Sequence, residues 1–307
     1  MRITVVMNEK AGTLAGSDAG AVANGVRTAF AHAGHTVNIV LTKPQTMMGA
    51  LRRVFTTPPD AVVVGGGDGT LNAALNLMGR APVALGVLPL GTMNLTARDL
   101  GLPPDPVDAA KALARGDIAA IDVATVGDLR FLHAAVLGFY PWMVLDRERA
   151  RRRKGLAKWP AMIRAGWRAL FRRHELEVEV LLDTDTGETA RITTPLLVVA
   201  NNRFIDGAGP VPSRASLADG ELAVYVAETR GPLSLLRLAF AVAAGHWETA
   251  PGIHFAACRS LTVATKRRRL RLAIDGELTH MVPPLQFRLQ HRRLDMIMPA
   301  GERRPAR

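Results

Sequence analysis

The chain of 307 residues contains a single cysteine, Cys258. One thiol excludes an intrachain disulfide and a multi-cysteine zinc site, and it makes a reducing compartment natural. Cys258 itself reads as a small core residue rather than a nucleophile. Long apolar runs are also missing: the best candidate, residues 232–247, is interrupted by Arg237 and His246 and cannot span a bilayer as a helix. The apolar stretch within residues 1–8 is too short for a signal peptide and reads as a first β-strand. The expectation is a soluble or peripheral cytoplasmic protein. Acidic residues are few beside basic ones, 27 against 39, for a formal charge of +12. That balance favours an anionic partner such as a nucleotide, a nucleic acid or an anionic lipid, although free use of arginine by a GC-rich genome gives the same number. No nucleic-acid recognition module is apparent, so nucleic acid is not the expected partner.

What is present is a chain that can fold. Hydrophobic residues make up 48%, ample for a core and against global disorder. The first 120 residues or so alternate strand and helix patterns, as in a doubly wound α/β sheet. Strands are expected at 3–7, 36–42, 61–64 and 83–88, and helices at 18–32, 45–55 and from Asp105-Pro106 to near Gly116. Asp105 is a helix N-cap with proline at the first helical position. After Asp122 the pattern becomes mainly antiparallel β, with strands at 122–126, 130–136, 177–182, 196–200, 222–226, 260–264, 270–274, 285–290 and 294–298, interrupted by two helical insertions.

Residues 62–72, VVVGGGDGTLN, are the most informative segment. A β-branched run ends in glycines, an aspartate and a threonine, and a helical sequence with Gly79 as its stop follows at once. Glycines at a strand-to-helix turn let backbone N–H groups close on a phosphate. Asp68 adds a carboxylate where a magnesium ion would be expected. A nucleoside triphosphate is therefore the implied ligand, against the alternative of a turn that only reverses the chain. The next strand runs into a second glycine turn, so that residues 88–103 read LPLGTMNLTARDLGLP. Parallel strands would set both turns on one carboxyl edge, where open α/β sheets bind ligands.

This pair of turns resembles the catalytic domain of the diacylglycerol kinase and sphingosine kinase superfamily, most of all the soluble bacterial lipid kinases. Further matching motifs are Asn8 with Ala11-Gly12, Asn201-Asn202, SRASLADGELAVY at 213–225, and Asp275-Gly276-Glu277. The resemblance implies an N-terminal NAD kinase-like nucleotide domain (1–122), a β-sandwich-like lipid-substrate domain with inserted helices (123–293) and a return of 294–307 to the first domain, with the active site between the domains. It implies ATP as phosphoryl donor around Asn8, Glu9, Lys10, Ala11, Gly12, Thr42, Gly66, Gly67, Asp68, Gly69, Thr70, Leu71, Asn72 and Thr92. Glu277 is implied as general base, acting with Asp68. A structural Mg2+ is implied at Asp219, with carbonyls near Ser216 and Glu221, and a link of Asp122 to catalytic magnesium; a plain Asp-Gly turn and a hinge would read the same way in sequence. Two departures stand out. Glu9 replaces the family's proline, and Leu95 replaces a carboxylate that some relatives place near the metal.

Residues 147–174 carry Trp159, Met162, Ile163, Gly166, Trp167, Leu170 and Phe171 at helical spacing, with Arg164, Arg168, Arg172 and Arg173 on other faces. This is the pattern of an interfacial helix on an anionic membrane, or of a helix sealing a core with a solvated basic face. The function expected is an ATP- and Mg-dependent lipid kinase acting on a diacylglycerol-like or sphingoid hydroxyl. The alternatives are a soluble-substrate kinase of the NAD kinase type and a catalytically silent lipid-binding relative.

Overall fold

The computed structural model describes residues 1–14, 18–139, 141, 176–182, 189–207, 212–228 and 232–300. The chain folds as two units, Met1–Val123 with His291–Arg307, and Ala124–Gln290.

The first unit is built from β1 (Arg2–Asn8), α1 (Ala19–His32), β2 (Thr36–Thr42), α2 (Met47–Thr56), β3 (Ala61–Gly66), α3 (Asp68–Leu77), β4 (Ala84–Pro89), α4 (Leu95–Asp99), α5 (Pro106–Ala114) and β5 (Asp117–Val126), whose last residues enter the second unit. Strands β1 to β4 are parallel in the order β2-β1-β3-β4. The inner strands are buried on both faces, and β3 and β4 have no exposed residue, as expected for a parallel sheet covered by helices. From β1 the chain steps to β2 on one side and then crosses back to β3 on the other. Right-handed crossovers therefore put α1 on one face and both α2 and α3 on the other. The contacts agree, with α1 against α5 and α2 against α3. Asp18 caps α1 through Gly20 N–H at 2.8 Å, and Asp105 caps α5 through Val107 and Asp108 N–H. Each such cap stabilises its helix by about 1 kcal/mol.

The second unit contains β6 (Leu129–Phe131), β7 (Ala134–Gly138), β8 (Leu176–Leu182), β9 (Thr189–Thr194), β10 (Leu196–Asn201), β11 (Phe204–Ile205), β12 (Ser213–Arg214), β13 (Leu222–Ala227), α6 (Pro232–Ala244), β14 (Ile253–Cys258), β15 (Ser260–Ala264), β16 (Leu270–Ile274), β17 (Glu277–Met281) and the start of β18 (Leu285–Met298). One antiparallel sheet runs β14-β13-β10-β7-β16-β17; the other pairs β18, β15, β8 and β9. Alternate residues of both, among them Leu197, Val199, Val224, Leu272, Val180, Val263 and Phe287, form one apolar core. This is the packing of a β-sandwich. Cys258 lies in that core at 6% exposure, as its lone occurrence suggested.

Three expected strands differ from those observed. Residues 130–136 are not one strand but β6 and β7, broken at Leu132-His133. Residues 285–290 and 294–298 are a single strand, β18, bent at Arg292 with φ of 47°. The end of β18 lies parallel to β4, Met296 opposite Leu85.

Candidate active site

The strand ends of the first unit bring the glycine turns together. Asn8 of β1 pairs opposite Thr42 of β2, Met7 opposite Gly65, and Gly66 opposite Pro89. The strand order reverses at the β1/β3 boundary, and at such a point the loops after the two strands diverge and leave a crevice. The loop after β1 holds Asn8, Glu9, Lys10, Ala11 and Gly12. Glu9 N–H donates to Thr42 O at 3.0 Å, and Lys10 N–H to the Asn8 side-chain oxygen at 3.0 Å. Thr42 is buried, its hydroxyl 2.7 Å from that of Thr46. A Cβ on Gly12 would stand 4.0 Å from Thr92 Oγ1, so the first loop and the second glycine turn are neighbours.

The two glycine turns interlock. A Cβ on Gly91 would overlap the Cα of Gly67 and stand 2.8 Å from Asn94 Oδ1. Backbone thus meets backbone, and a side chain at Gly91 has nowhere to go. Asn94, in the left-handed region at φ 49°, closes its own turn: its Oδ1 accepts Gly91 N–H at 2.8 Å and its Nδ2 donates to Gly91 O at 2.9 Å. Asp68 Oδ1 accepts the Thr96 N–H at 3.4 Å and so ties the first residue of α3 to α4. Gly67, the N-cap of α3, offers no side chain to the first-turn amides. That end of the helix is polarised toward an anion. Asn72 Oδ1 accepts from Asn76 Nδ2 at 2.8 Å. Leu71 is 1% exposed, so it belongs to the core and can offer a nucleotide only its backbone. Sequence reasoning missed Asn94 as the clamp and Thr96 as the anchor. The available signal was asparagine itself, one of the few residues besides glycine that adopt left-handed backbone.

In the second unit Glu277 opens β17, opposite Ile274 and exposed, just past the Asp275-Gly276 corner of a hairpin. Both corner residues have positive φ, 46° and 84°, the geometry of a two-residue hairpin turn in which glycine is favoured. Asp275 does more than turn the chain. Its carboxylate accepts the N–H groups of Leu132, His133 and Ala134 at 2.9, 2.9 and 3.0 Å. These bonds explain the break between β6 and β7. His133 is buried beside Arg214, whose Nη2 lies 3.3 Å from its Nε2. Burial, and then the Arg214 charge, hold the imidazole well below its ordinary pKa. Asn201 Nδ2 donates to Leu132 O at 3.0 Å, and Arg214 Nη1 donates to Asn201 O at 2.9 Å, so Asn201 belongs to this buried network.

The residues expected around a structural cation form the turn between β12 and β13. Ser216 Oγ accepts Ala218 N–H at 3.0 Å, Gly220 has φ of 81°, and Glu221 O accepts Asn202 N–H at 3.1 Å. Asp219 is exposed. Burial, and then the charge of Asp219, raise the Glu221 carboxyl above its ordinary pKa. Two carboxylates near enough to disfavour each other, among backbone oxygens, are a donor set that suits a hard cation. Among the described residues no group of three His, Cys, Asp or Glu side chains could hold a metal, so such a site would depend on carbonyl oxygens. Asp122 has a different place. It is fully buried, and its Oδ1 accepts His291 Nδ1–H at 2.8 Å and Arg292 N–H at 2.7 Å. A carboxylate can only accept, so Nδ1 carries the hydrogen. Asp122 thus fastens the bend of β18.

The basic segment 147–174 lies outside the described residues. No helix among the described residues is long and apolar enough to cross a membrane. A cavity of about 310 Å³ in the first unit is lined by Thr4, Asn38, Val40 and Arg53. None of those residues belongs to the loops after β1, β3 and β4.

Residues 2–126 match the family described as the diacylglycerol kinase catalytic domain, and residues 146–298 match the YegS C-terminal NAD kinase beta sandwich-like domain. A diacylglycerol kinase of Bacillus subtilis is 26% identical over 245 residues, covering 78% of each chain. An uncharacterized protein of Synechocystis is 31% identical over 180 residues, which are 58% of this chain and 40% of that protein. A crystal structure of a diacylglycerol kinase from Bacillus anthracis superposes with a TM-score of 0.72 at 20% identity, covering 98% of this chain and 97% of that one. That likeness carries the fold: an α/β unit with a parallel sheet, followed in sequence by a mainly antiparallel β-sandwich.

Proposed function

Because the chain belongs to the bacterial diacylglycerol kinase and YegS-type family, we propose that it is a lipid kinase transferring the γ-phosphoryl group of ATP to the hydroxyl of a diacylglycerol-like or sphingoid lipid. The observation that supports this reading best is the interlock of the two glycine turns after β3 and β4, next to the strand order's reversal, where Gly91 leaves room only for the Gly67 backbone.

The roles follow from the residues. The first-turn amides of α3 and the hydroxyls of Thr70 and Thr92 bind the phosphates, and Asn72 orients one of them. Asp68, fixed by the Thr96 N–H, would hold a catalytic magnesium together with the phosphates. Asp219, with carbonyls near Ser216 and Glu221, would hold a structural one. Magnesium supplies neutralisation of the charge that builds on the phosphate oxygens. Leu95 adds no second carboxylate to Asp68; a single protein carboxylate with phosphates and water is an ordinary magnesium environment. Glu277, exposed at its hairpin corner, takes the proton of the lipid hydroxyl as the oxygen attacks the γ-phosphorus and ADP departs. Asp275 is a positioning residue, since its hydrogen bonds to the β6–β7 loop fix the corner that presents Glu277.

ATP consumption by the purified chain, measured with magnesium and dispersed diacylglycerol, with NAD, or with neither, tests the proposal. Lipid-dependent turnover is the result expected. NAD-dependent turnover, or none with ATP still bound, would replace the reading by the soluble-substrate or the silent alternative.

A further inference from the structure

Strand β2 is the outer strand of the first unit's parallel sheet, and its far edge has no neighbouring strand among the described residues. The register shows which groups lie on that edge. Thr36 N–H donates to Met1 O and Thr42 O accepts Glu9 N–H, both at 3.0 Å, so Thr36, Asn38, Val40 and Thr42 turn their backbone groups toward β1. Val37, Ile39 and Leu41 turn theirs outward, because successive residues of a strand alternate. A row of open N–H and C=O groups is a template for another strand.

Chains that stay monomeric blunt such an edge with charge, proline or a bulge. The segment TVNIVLT holds no charged residue, no proline and no glycine. Its pairing with β1 runs unbroken from Arg2 opposite Thr36 to Asn8 opposite Thr42. Both faces of the edge are also partly open. On the α2 side a cavity of about 310 Å³ lies between Asn38 and Val40 of the strand and Ala50, Arg53 and Val54 of the helix. On the α1 side Val37 and Ile39 are half-buried and Leu41 is 40% exposed.

The pattern selects the occupant. The outward residues are centred on Ile39, so an antiparallel copy of the same strand meets them in register: Ile39 opposite Ile39, and Val37 opposite Leu41 on either side. These are hydrogen-bonded pairs, so each outward N–H and C=O gains a partner. Their side chains share one face and form an apolar stripe across the join. On the other face Asn38 comes opposite Val40, and the two cavities meet at the two-fold axis. A strand of some other protein offers the same hydrogen bonds without this self-match, which closes at two chains.

We propose that the chain is a two-fold dimer in which β2 pairs antiparallel with β2 of a second copy, joining the two parallel sheets into one. Val37, Ile39 and Leu41 are not among the residues assigned to nucleotide or lipid, and the dimer stands whether or not the chain phosphorylates a lipid.

Sedimentation of the whole chain tests the proposal, with twice the 33.0 kDa of one chain expected. Ile39→Pro removes an outward N–H and no bond to β1, and proline is tolerated on an edge strand. It should sediment as a monomer and keep the parent's melting midpoint. Ile39→Lys sets two like charges face to face and should weaken the dimer about a hundredfold. Ile39→Cys tests the register without either change. It places two thiols across a hydrogen-bonded pair, whose Cα separation of about 5.5 Å is within disulfide reach, and copper-phenanthroline should cross-link it. Val37→Cys should not cross-link, since its own copy lies at least about 13 Å away along the strand; Cys258 is buried and does not compete. A parent chain that sediments as a monomer at its highest soluble concentration overturns the proposal. So does a dimer that survives both Ile39→Pro and Ile39→Lys, or an Ile39→Cys chain that cross-links no faster than Val37→Cys.

Discussion

Replacing Gly91 by alanine probes the interlock directly. A Cβ there would overlap Gly67 Cα and stand 2.8 Å from Asn94 Oδ1. The obstruction is mostly backbone, so no side-chain rotation relieves it; one of the turns must move. Overpacking of this kind costs about 1–3 kcal/mol. Displacing Asn94 also weakens its bonds to Gly91 N–H and O, at 2.8 and 2.9 Å, each worth about 1 kcal/mol. With those two bonds half lost, the sum is about 2–4 kcal/mol. At about 2–4 °C per kcal/mol for a unit of this size, the melting midpoint should fall by about 5–15 °C. Binding of a non-hydrolysable ATP analogue, measured calorimetrically, should weaken at least tenfold, because the displaced turn carries Thr92 and lies against the start of α3. Gly49, in α2 with nothing within 4 Å of an added Cβ, is the control. Gly49→Ala should stabilise by up to about 1 kcal/mol and leave nucleotide binding unchanged. If Gly91→Ala melts with the parent and binds the analogue equally well, the turns do not depend on each other, and the assignment of the phosphate site to their junction fails.

Three further outcomes follow from the second unit. Asp275→Ala removes the acceptor of three backbone N–H groups and should lower stability by about 3–5 kcal/mol in denaturant titration, with Asp275→Asn intermediate. His133 is held well below its unfolded pKa of about 6.5. The unfolded chain therefore takes up the proton first, and stability present above pH 6.5 should fall by about 1.4 kcal/mol per pH unit as the pH drops toward the folded value; His133→Gln should flatten that slope. Glu277→Gln, at an exposed position, should leave the melting midpoint unchanged and reduce kcat by about 10²–10⁴. A matching loss of stability would assign Glu277 to the fold instead.

Much of the first unit was legible because its signals are local and strong. The β-branched runs at 36–42 and 61–64, the caps Asp18 and Asp105 and the proline at Pro106 mark elements that form where expected. The α2 helix begins two residues later than expected, at Met47, because Thr46 is its cap and gives no side-chain bond. The second unit was harder to read. The strand Thr189–Thr194 is almost entirely polar, and Ile253–Cys258 and Glu277–Met281 lack clean alternation. Edge positions β9, β14 and β17 bury little and so need no apolar face. The β6–β7 break depends on Asp275, more than 140 residues away, and no local pattern records such a bond.

The candidate site was legible as a set of residues but not as a set of reasons. The glycines of 65–69 suggested a phosphate cradle; the structure adds that Gly91 is required by the Gly67 backbone, before any ligand arrives. The resemblance linked Asp122 to catalytic magnesium, and the structure adds that its Oδ1 accepts His291 Nδ1–H and the Arg292 N–H. Those partners lie 169 and 170 residues further along and become visible only once the chain has folded back.

The most direct measurement is transfer itself. Purified protein, γ-labelled ATP, magnesium and a total lipid extract are incubated, and the lipids are separated. A labelled lipid that disappears in both Asp68→Ala and Glu277→Ala, with each variant folded, is the result predicted, and it identifies the acceptor. No labelled lipid from the parent chain while ATP remains bound would contradict the central claim, and Leu95 would then be the first residue to replace with aspartate.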